Sequence, residues 1–318
     1  MLPVWGEAPH SAFTDLLRFQ RRWFCAFREA QTHAGSRGKI RVLVSGGGSE
    51  WKTAALLSER GVDLRDPKLS ITPDGRLMLL AGGTESHRDG TIGRQPRVWF
   101  SEEGSAWTAP HRILSPGDWL WRLTWKGAFA YGVSYTIASA QRWDVTLYAS
   151  GDGIEYRKLC PLVVPGKPNE ATLRFTEDGR GVLLVRREGG DAAGWLGQSR
   201  PPYVSWKWRS IGRRIGGPNF LVLPDGGMWA VCRDYAEAGN RVVVARLGPA
   251  SYRPLLELPS GGDCSYAGMA WHGGRLWVSY YSYHEGRARI YLAKVDLPAA
   301  EAPTGRRSAP RNALLHGD

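Results

Sequence analysis

Apolar residues recur along the chain in short runs broken by glycine-bearing turns. Six stretches repeat one arrangement: an apolar strand, a turn, and a second apolar strand. They are FTDLLRFQRRWFCAFREA from Phe13, RDPKLSITPDGRLMLLAGG from Arg65, LWRLTWKGAFAYGVSY from Leu120, NEATLRFTEDGRGVLLVRREGG from Asn169, GPNFLVLPDGGMWAVCRDY from Gly217 and SYAGMAWHGGRLWVSYYSY from Ser265. The turns PDG, EDG, PDG and HGG place glycine where a tight hairpin needs positive φ. Asp15, Asp66, Arg122, Glu170, Asn219 and Tyr266 are read as opening the first strands, at spacings of 51, 56, 48, 49 and 47 residues.

A period near 50 residues holds four short strands and their loops, which is one propeller blade. The expected fold is all-β, a six-bladed β-propeller of four-stranded antiparallel blades over residues 10–298. Residues 1–9 are set apart as an N-terminal segment, and 299–318, rich in Ala, Pro and Arg, as a flexible tail. One blade cannot bury both of its faces, so Trp23, Trp125, Trp229 and Trp277 are assigned to packing between blades.

Composition narrows the function. The hydrophobic share of 42% and charged share of 23% suit a globular chain. No stretch approaches the roughly 20 apolar residues of a membrane span. The start, MLPVWGEAPHSAF, has neither a basic opening nor an apolar run, so no signal peptide is expected; a processed secreted form would look the same, and the compartment stays open. The net charge is +12, with 34 Arg and 8 Lys. These charges are scattered and carry no RNP, zinc-finger or basic-helix motif, so nucleic acid is not the expected partner. An Arg-rich surface suits bidentate recognition of carboxylates. Cys25, Cys160, Cys232 and Cys264 form no CxxC, and His87 has no partner ligands in sequence, so neither a disulfide framework nor a metal site is expected.

Ser101-Glu-Glu-Gly-Ser-Ala-Trp107 and Ser150-Gly-Asp-Gly-Ile-Glu-Tyr156 share one pattern, and Ser45-Gly-Gly-Gly-Ser-Glu-Trp51 is a copy without the acid. They resemble the Asp-box (BNR) hairpin of sialidase-like propellers, a structural element, so Glu103 and Asp152 are not candidates for catalysis.

The first strand of each blade lines a propeller's channel, so the six opening residues converge there. The second runs add Arg28, Glu29, Arg186, Arg187, Arg233, Asp234, Tyr281, His284 and Glu285. Polar groups meeting in a concavity are the usual mark of a small-molecule site. On these residues the chain resembles the exo-α-sialidase (neuraminidase) superfamily. NEATLRFTEDGRGVLLVR is similar to the segment in which a Glu precedes an Arg by 16 residues, here Glu170 and Arg186; SYAGMAW is similar to the segment carrying the nucleophilic Tyr, here Tyr266; CRDY supplies Arg233. The resemblance implies a glycoside hydrolase that removes a terminal acidic sugar from a glycan or glycoconjugate, without a cofactor. Tyr266 would be the nucleophile, because an anionic one is repelled by a carboxylate on the anomeric carbon, and Glu170 its base. Arg186 and Arg233 would hold that carboxylate.

The sequence departs from the family at two points. Blade one reads His10-Ser-Ala-Phe-Thr-Asp15 where the family has Arg-Ile-Pro, so Arg28 or Arg65 is left to compensate. The loop REAQTHAGSRG, which bears the family's acid/base Asp, offers Glu29 and His33. His33, or Asp66 from the next blade, is therefore the candidate general acid. Leu64-Arg-Asp-Pro67 also resembles the RDP motif of five-bladed furanosidases, and an Asp66–Glu170 pair could run a two-carboxylate glycosidase. Substrate contacts are expected from Arg28, Arg65, Arg122, Arg186, Arg233, Asp15, Asn219 and Tyr281, with one of Trp119, Trp121 and Trp125 available to stack on a sugar. The other open readings are a non-catalytic carbohydrate- or protein-binding propeller and a polysaccharide lyase.

Overall fold

The structure is a computed structural model and describes residues 1–86, 92–248 and 251–298. His87 and the tail from 299 lie outside the described residues. Alternating apolar positions give strands throughout, and no helix occurs among the described residues. In chain order, β1 is Leu2–Trp5, and β2 (His10–Phe19), β3 (Arg22–Ala30), β4 (Lys39–Ser45) and β5 (Lys52–Leu57) form one antiparallel sheet. The next sheet holds β6 (Val62–Ile71), β7 (Leu77–Ser86), β8 (Ile92–Ser101) and β9 (His111–Arg112), and the third β10 (Trp119–Lys126), β11 (Phe129–Ile137), β12 (Trp143–Ser150) and β13 (Tyr156–Leu162). A seven-stranded sheet follows: β14 (Pro168–Phe175), β15 (Gly181–Arg187), β16 (Ala193–Ser199), β17 (Lys207–Val222), β18 (Met228–Ala236), β19 (Gly239–Gly248) and β20 (Ser251–Leu258). The last sheet is β21 (Cys264–His272), β22 (Arg275–Ser282) and β23 (Arg289–Val295), with β1 on its outer edge.

The sheets stand in a propeller arrangement. The inner strands touch in sequence, β2 to β6, β10, β14, β17 and β21, and β21 returns to β2. The long strand β17 serves twice. Its first half pairs with β16 (Trp195 opposite Ser210) and its second with β18 (Asn219 opposite Val231). Leu2–Trp5, set apart as a separate segment by the sequence, belongs to the sheet of β23, with Leu2 opposite Leu292.

The core is divided into wedges between adjacent sheets. Trp23 and Trp277 stack at 4.2 Å between the first and last sheets, and Trp229 and Trp125 pack in two other wedges. All four thiols are buried and free. In the turn after each third strand, Ser45, Ser101 and Ser150 accept the amide of Gly48, Gly104 and Gly153 at 2.8 Å, with the glycines at φ of 78–87°. Asp152 accepts the amides of Ile154 and Glu155, whereas Glu103 is exposed and takes only the Ser105 hydroxyl.

One irregularity recurs and positions the site. Every inner strand carries a bulge near its start, where the register slips between Ala12/Asp15, Arg65/Lys68, Leu120/Leu123, Pro168/Ala171, Gly216/Asn219 and Ser265/Gly268. Bulges bend a strand and re-aim side chains. The residues freed first are Phe13, Asp66, Trp121, Asn169, Gly217 and Tyr266. Phe13, Asp66 and Tyr266 take left-handed φ of 61°, 51° and 51°, a conformation costing about 1–3 kcal/mol in a non-glycine residue and concentrated at functional sites.

Candidate active site

Tyr266 leaves the β21 bulge with its hydroxyl donating to Glu170 Oε1 at 2.6 Å. Glu170 comes from the β14 bulge. Its Oε2 accepts the Gly217 amide at 2.8 Å, and both oxygens accept Arg186 Nη1 at 2.9 Å. Arg186, on β15, also donates to the Tyr266 hydroxyl at 3.3 Å and to Tyr235 at 3.1 Å, and pairs with Glu188. Burial works against the Glu170 anion, but the Arg186 charge and the bonds from Tyr266, Arg186 and Gly217 outweigh it and hold the carboxyl below its ordinary range. Burial, then the Glu170 charge, push the Tyr266 phenol well up. At rest the pair is therefore an un-ionised phenol hydrogen-bonded to a carboxylate.

A second cluster flanks the first. Arg233, on β18, donates to the Cys264 carbonyl at 2.8 Å, and at 3.2 Å to both Asp263 Oδ1 and the Tyr281 hydroxyl; its guanidinium lies 5.7 Å from the Tyr266 ring centroid. Tyr281 donates to Asp263 Oδ1 at 2.6 Å. Asp263 Oδ2 meets His33 Nδ1 at 2.6 Å, and His10 Nε2 at 3.5 Å. Burial opposes ionisation of Asp263, but the bonds from His10, His33 and Tyr281 hold it far below the usual carboxylate range. Phe13 is the hub: its ring lies 5.0 Å from that of Tyr266, 5.2 Å from His33 and 5.5 Å from Tyr281, with Arg65 over it at 5.0 Å.

Asp66 stands on the β6 bulge beside these groups. Burial raises its carboxyl, Lys68 and Arg65 oppose that, and the Glu170 charge adds to it; Oδ1 is buried without a partner. Trp121, on the β10 bulge, meets the Tyr266 ring at 5.6 Å, and the Lys68 ammonium sits 4.6 Å from the Trp121 ring centroid.

The structure thus gathers Tyr266, Glu170, Asp66, His33, Arg65, Arg186, Arg233 and Tyr281. Four other residues expected to contact substrate are committed elsewhere. Asp15 is 2% exposed and accepts Arg122 Nη1 at 2.9 and 3.0 Å and the Leu69 amide at 2.7 Å, so these two residues form an internal ion pair. Asn219 bridges the Ala267 carbonyl and Arg174. Arg28 is fully buried, paired with Asp63 and bonded to the Thr32 and Ser36 carbonyls at 2.9 and 3.1 Å. It fastens the loop that bears His33 and presents no free donor to a ligand. Sequence reasoning missed Asp263, Phe13, Tyr235 and His10. The one available signal was an acid in a glycine-rich turn, Gly-Gly-Asp263, three residues before Tyr266.

No family model matches the chain, and no curated protein matches it. Solved structures do. A protein of unknown function from Dyadobacter fermentans superposes with a TM-score of 0.80 at 18% identity, covering 91% of this chain and 95% of that one. An α-L-arabinofuranosidase of Fusarium graminearum, solved with an iminosugar inhibitor, gives 0.72 at 12%, covering 92% and 96%. A Trypanosoma rangeli sialidase gives 0.66 at 11%, covering 90% of this chain and 55% of that one. At these identities the likeness is one of fold alone, shared with an α-L-arabinofuranosidase, a sialidase and a protein of unknown function.

Proposed function

We propose that the protein is an exo-acting glycoside hydrolase that cleaves a terminal acidic, sialic-acid-like sugar from a glycan or glycoconjugate with retention of configuration. The observation that carries this reading is the 2.6 Å hydrogen bond from Tyr266 to Glu170. The ring is read as six blades, the seven-stranded sheet being two that share β17, and the serine-glycine turns as Asp-box hairpins. In this reading the phenol attacks the anomeric carbon while Glu170 takes its proton. A neutral nucleophile suits a sugar whose own carboxylate would repel an anion. Arg233 over the Tyr266 ring and Arg65 over the adjoining Phe13 ring would meet that carboxylate, and Arg186 keeps Glu170 ionised. Phe13 occupies the blade-one position, so the acidic group is held from blades two and five.

A second reading draws on Asp66, whose carboxyl is raised by burial and by the Glu170 charge. Asp66 as acid and Glu170 as base or nucleophile would serve a neutral furanoside. A panel of aryl sialosides, uronides and arabinofuranosides, run with Tyr266→Phe, Glu170→Gln and Asp66→Asn, separates the cases. The first reading expects cleavage of an acidic glycoside, lost in the Tyr266 and Glu170 variants. Cleavage that survives Tyr266→Phe but not Asp66→Asn supports the second. Silence across the panel favours a carbohydrate- or protein-binding module.

A further inference from the structure

We infer that His33, oriented by Asp263, is the acid/base that protonates the leaving group and then activates water. This rests on the hydrolase reading and assigns the proton role that Glu170, committed to Tyr266, leaves unfilled.

The geometry gives His33 what this role needs. Asp263 is ionised, so its Oδ2 accepts, and His33 Nδ1–H is the donor in their 2.6 Å bond. That bond fixes the ring and leaves Nε2 as the atom that exchanges a proton. The His33 side chain is 49% exposed, so the ring is accessible from solvent. Its ring rests edge-on to Phe13, the ring that also contacts Tyr266. The loop is not left to wander, because Arg28 binds the carbonyls of Thr32 and Ser36 on either side of His33.

The groups that face His33 are Asp263 from the turn before β21 and His10 from β2. Tyr281 of β22 and Arg233 of β18 act through Asp263, and Arg65 of β6 lies over the shared Phe13 ring. In the form that acts as the acid, the ring keeps Nδ1–H on Asp263 and carries the transferable proton on Nε2. In the first step Nε2–H passes to the glycosidic oxygen as the C–O bond breaks. The Tyr266 oxygen bonds to the anomeric carbon, and its proton goes to Glu170. In the second step neutral His33 Nε2 takes a proton from water as the water oxygen bonds to that carbon. The tyrosyl–sugar bond breaks and Glu170 returns the phenol proton. Both residues end as they began.

His10 Nε2, His33 Nδ1 and Asp263 Oδ2 also lie within 4.8 Å of one another, a spacing open to a metal ion. The 2.6 Å contact favours the proton dyad. Two ligands on a tetrahedral ion with bonds of about 2.0–2.1 Å sit about 3.3 Å apart. Asp263 is meanwhile already engaged through both oxygens.

The test compares one glycone that the wild type cleaves, attached to 4-nitrophenol and to methanol. His33→Gln is expected to lose about 10²–10⁴-fold in kcat/KM on the methyl glycoside and under about tenfold on the nitrophenyl one, which leaves without protonation. Asp263→Asn should lose activity with the same leaving-group preference, more on the methyl than on the nitrophenyl glycoside, as expected of a positioning residue. Equal losses on both leaving groups, or none, in a folded His33→Gln overturn the dyad alone. Loss of wild-type activity to a chelator, restored by zinc, overturns it in favour of a metal centre. A wild type that cleaves no glycoside removes the hydrolase reading and the dyad with it.

Discussion

Gly217 and Tyr266 meet backbone to backbone across neighbouring inner strands: a Cβ on Gly217, at φ 56°, would lie 3.0 Å from the Tyr266 nitrogen and 3.1 Å from the Ser265 hydroxyl. The missing side chain lets the Gly217 amide reach Glu170 Oε2 while the strand bearing Tyr266 closes over it. Three strands distant in sequence are thereby locked to one carboxylate, and several outcomes can be measured.

Tyr266→Phe removes the hydroxyl's bonds to Glu170 and from Arg186 and no volume of consequence. Glu170 keeps Arg186 and the Gly217 amide, so denaturant unfolding should show the loss of a bond to a charged group, about 1.5–3 kcal/mol. Hydrolysis should fall on the order of 10³-fold or more if the phenol is the nucleophile. A large stability loss with activity intact would contradict both the packing of Tyr266 and its nucleophilic role.

Asp15→Asn leaves the Arg122 charge buried without its carboxylate. Breaking a buried pair from one side costs about 3–5 kcal/mol, read as a shift in the urea midpoint. KM on any cleaved substrate should stay near the wild-type value, since Asp15 faces Leu69 and Arg122. An unchanged midpoint would refute the internal pairing.

Lys68 is 3% exposed, and burial, with the nearby Arg122 charge, lowers its amine to about 8. The folded value lies below the unfolded one of about 10.4. The native state therefore sheds the proton first, and stability gains as pH rises between the two. Below about 8 the buried charge is a cost. Lys68→Met should raise the melting temperature at about pH 6.5, and that advantage should shrink above about pH 8. A difference constant across pH would exclude a buried, titrating amine.

Gly38→Ala should damage the His33 loop from a distance. An added Cβ would lie 2.3 Å from Arg28 Nε, 2.5 Å from Asp63 Oδ1 and 2.8 Å from the Leu64 carbonyl. Such overpacking costs about 1–3 kcal/mol. Calorimetry should show that loss, and proteolysis should become faster within 31–38. Neither change would mean that the loop is held by something other than Arg28 and Asp63.

The repeat was legible because hairpin turns, and alternation outside the bulges, recur: the turn glycines Gly75, Gly179 and Gly226 take φ of 76–84°, and only the first sheet turns on non-glycine residues, Gln20 and Arg21. That Tyr266, Glu170, Arg186 and Arg233 lie together was legible through the resemblance of their segments to sialidase segments. The phase of the inner strands was not. An extra residue in each bulge breaks alternation at the very positions that face the axis. Asp66 and Tyr266 fell on bulge-leading residues, but Asp15 and Asn219 lie two beyond Phe13 and Gly217, and Arg122 one beyond Trp121. Arg28 was misread because its partner Asp63 is on another strand, and a fully paired guanidinium looks like a free one in sequence. Leu2–Trp5 was too short to register as a strand, its pairing being with the far end of the chain.

That pairing has a consequence for how the molecule is made. With Leu2 opposite Leu292, the circle depends on a clasp between β1 and β23, strands about 290 residues apart in sequence. Contacts so far apart in sequence are slow to form. Until β23 has been made, β1 therefore has no strand to pair with. A ribosome-arrested fragment ending before β21 should expose the Trp23 face of that sheet, and should be the species most in need of a chaperone.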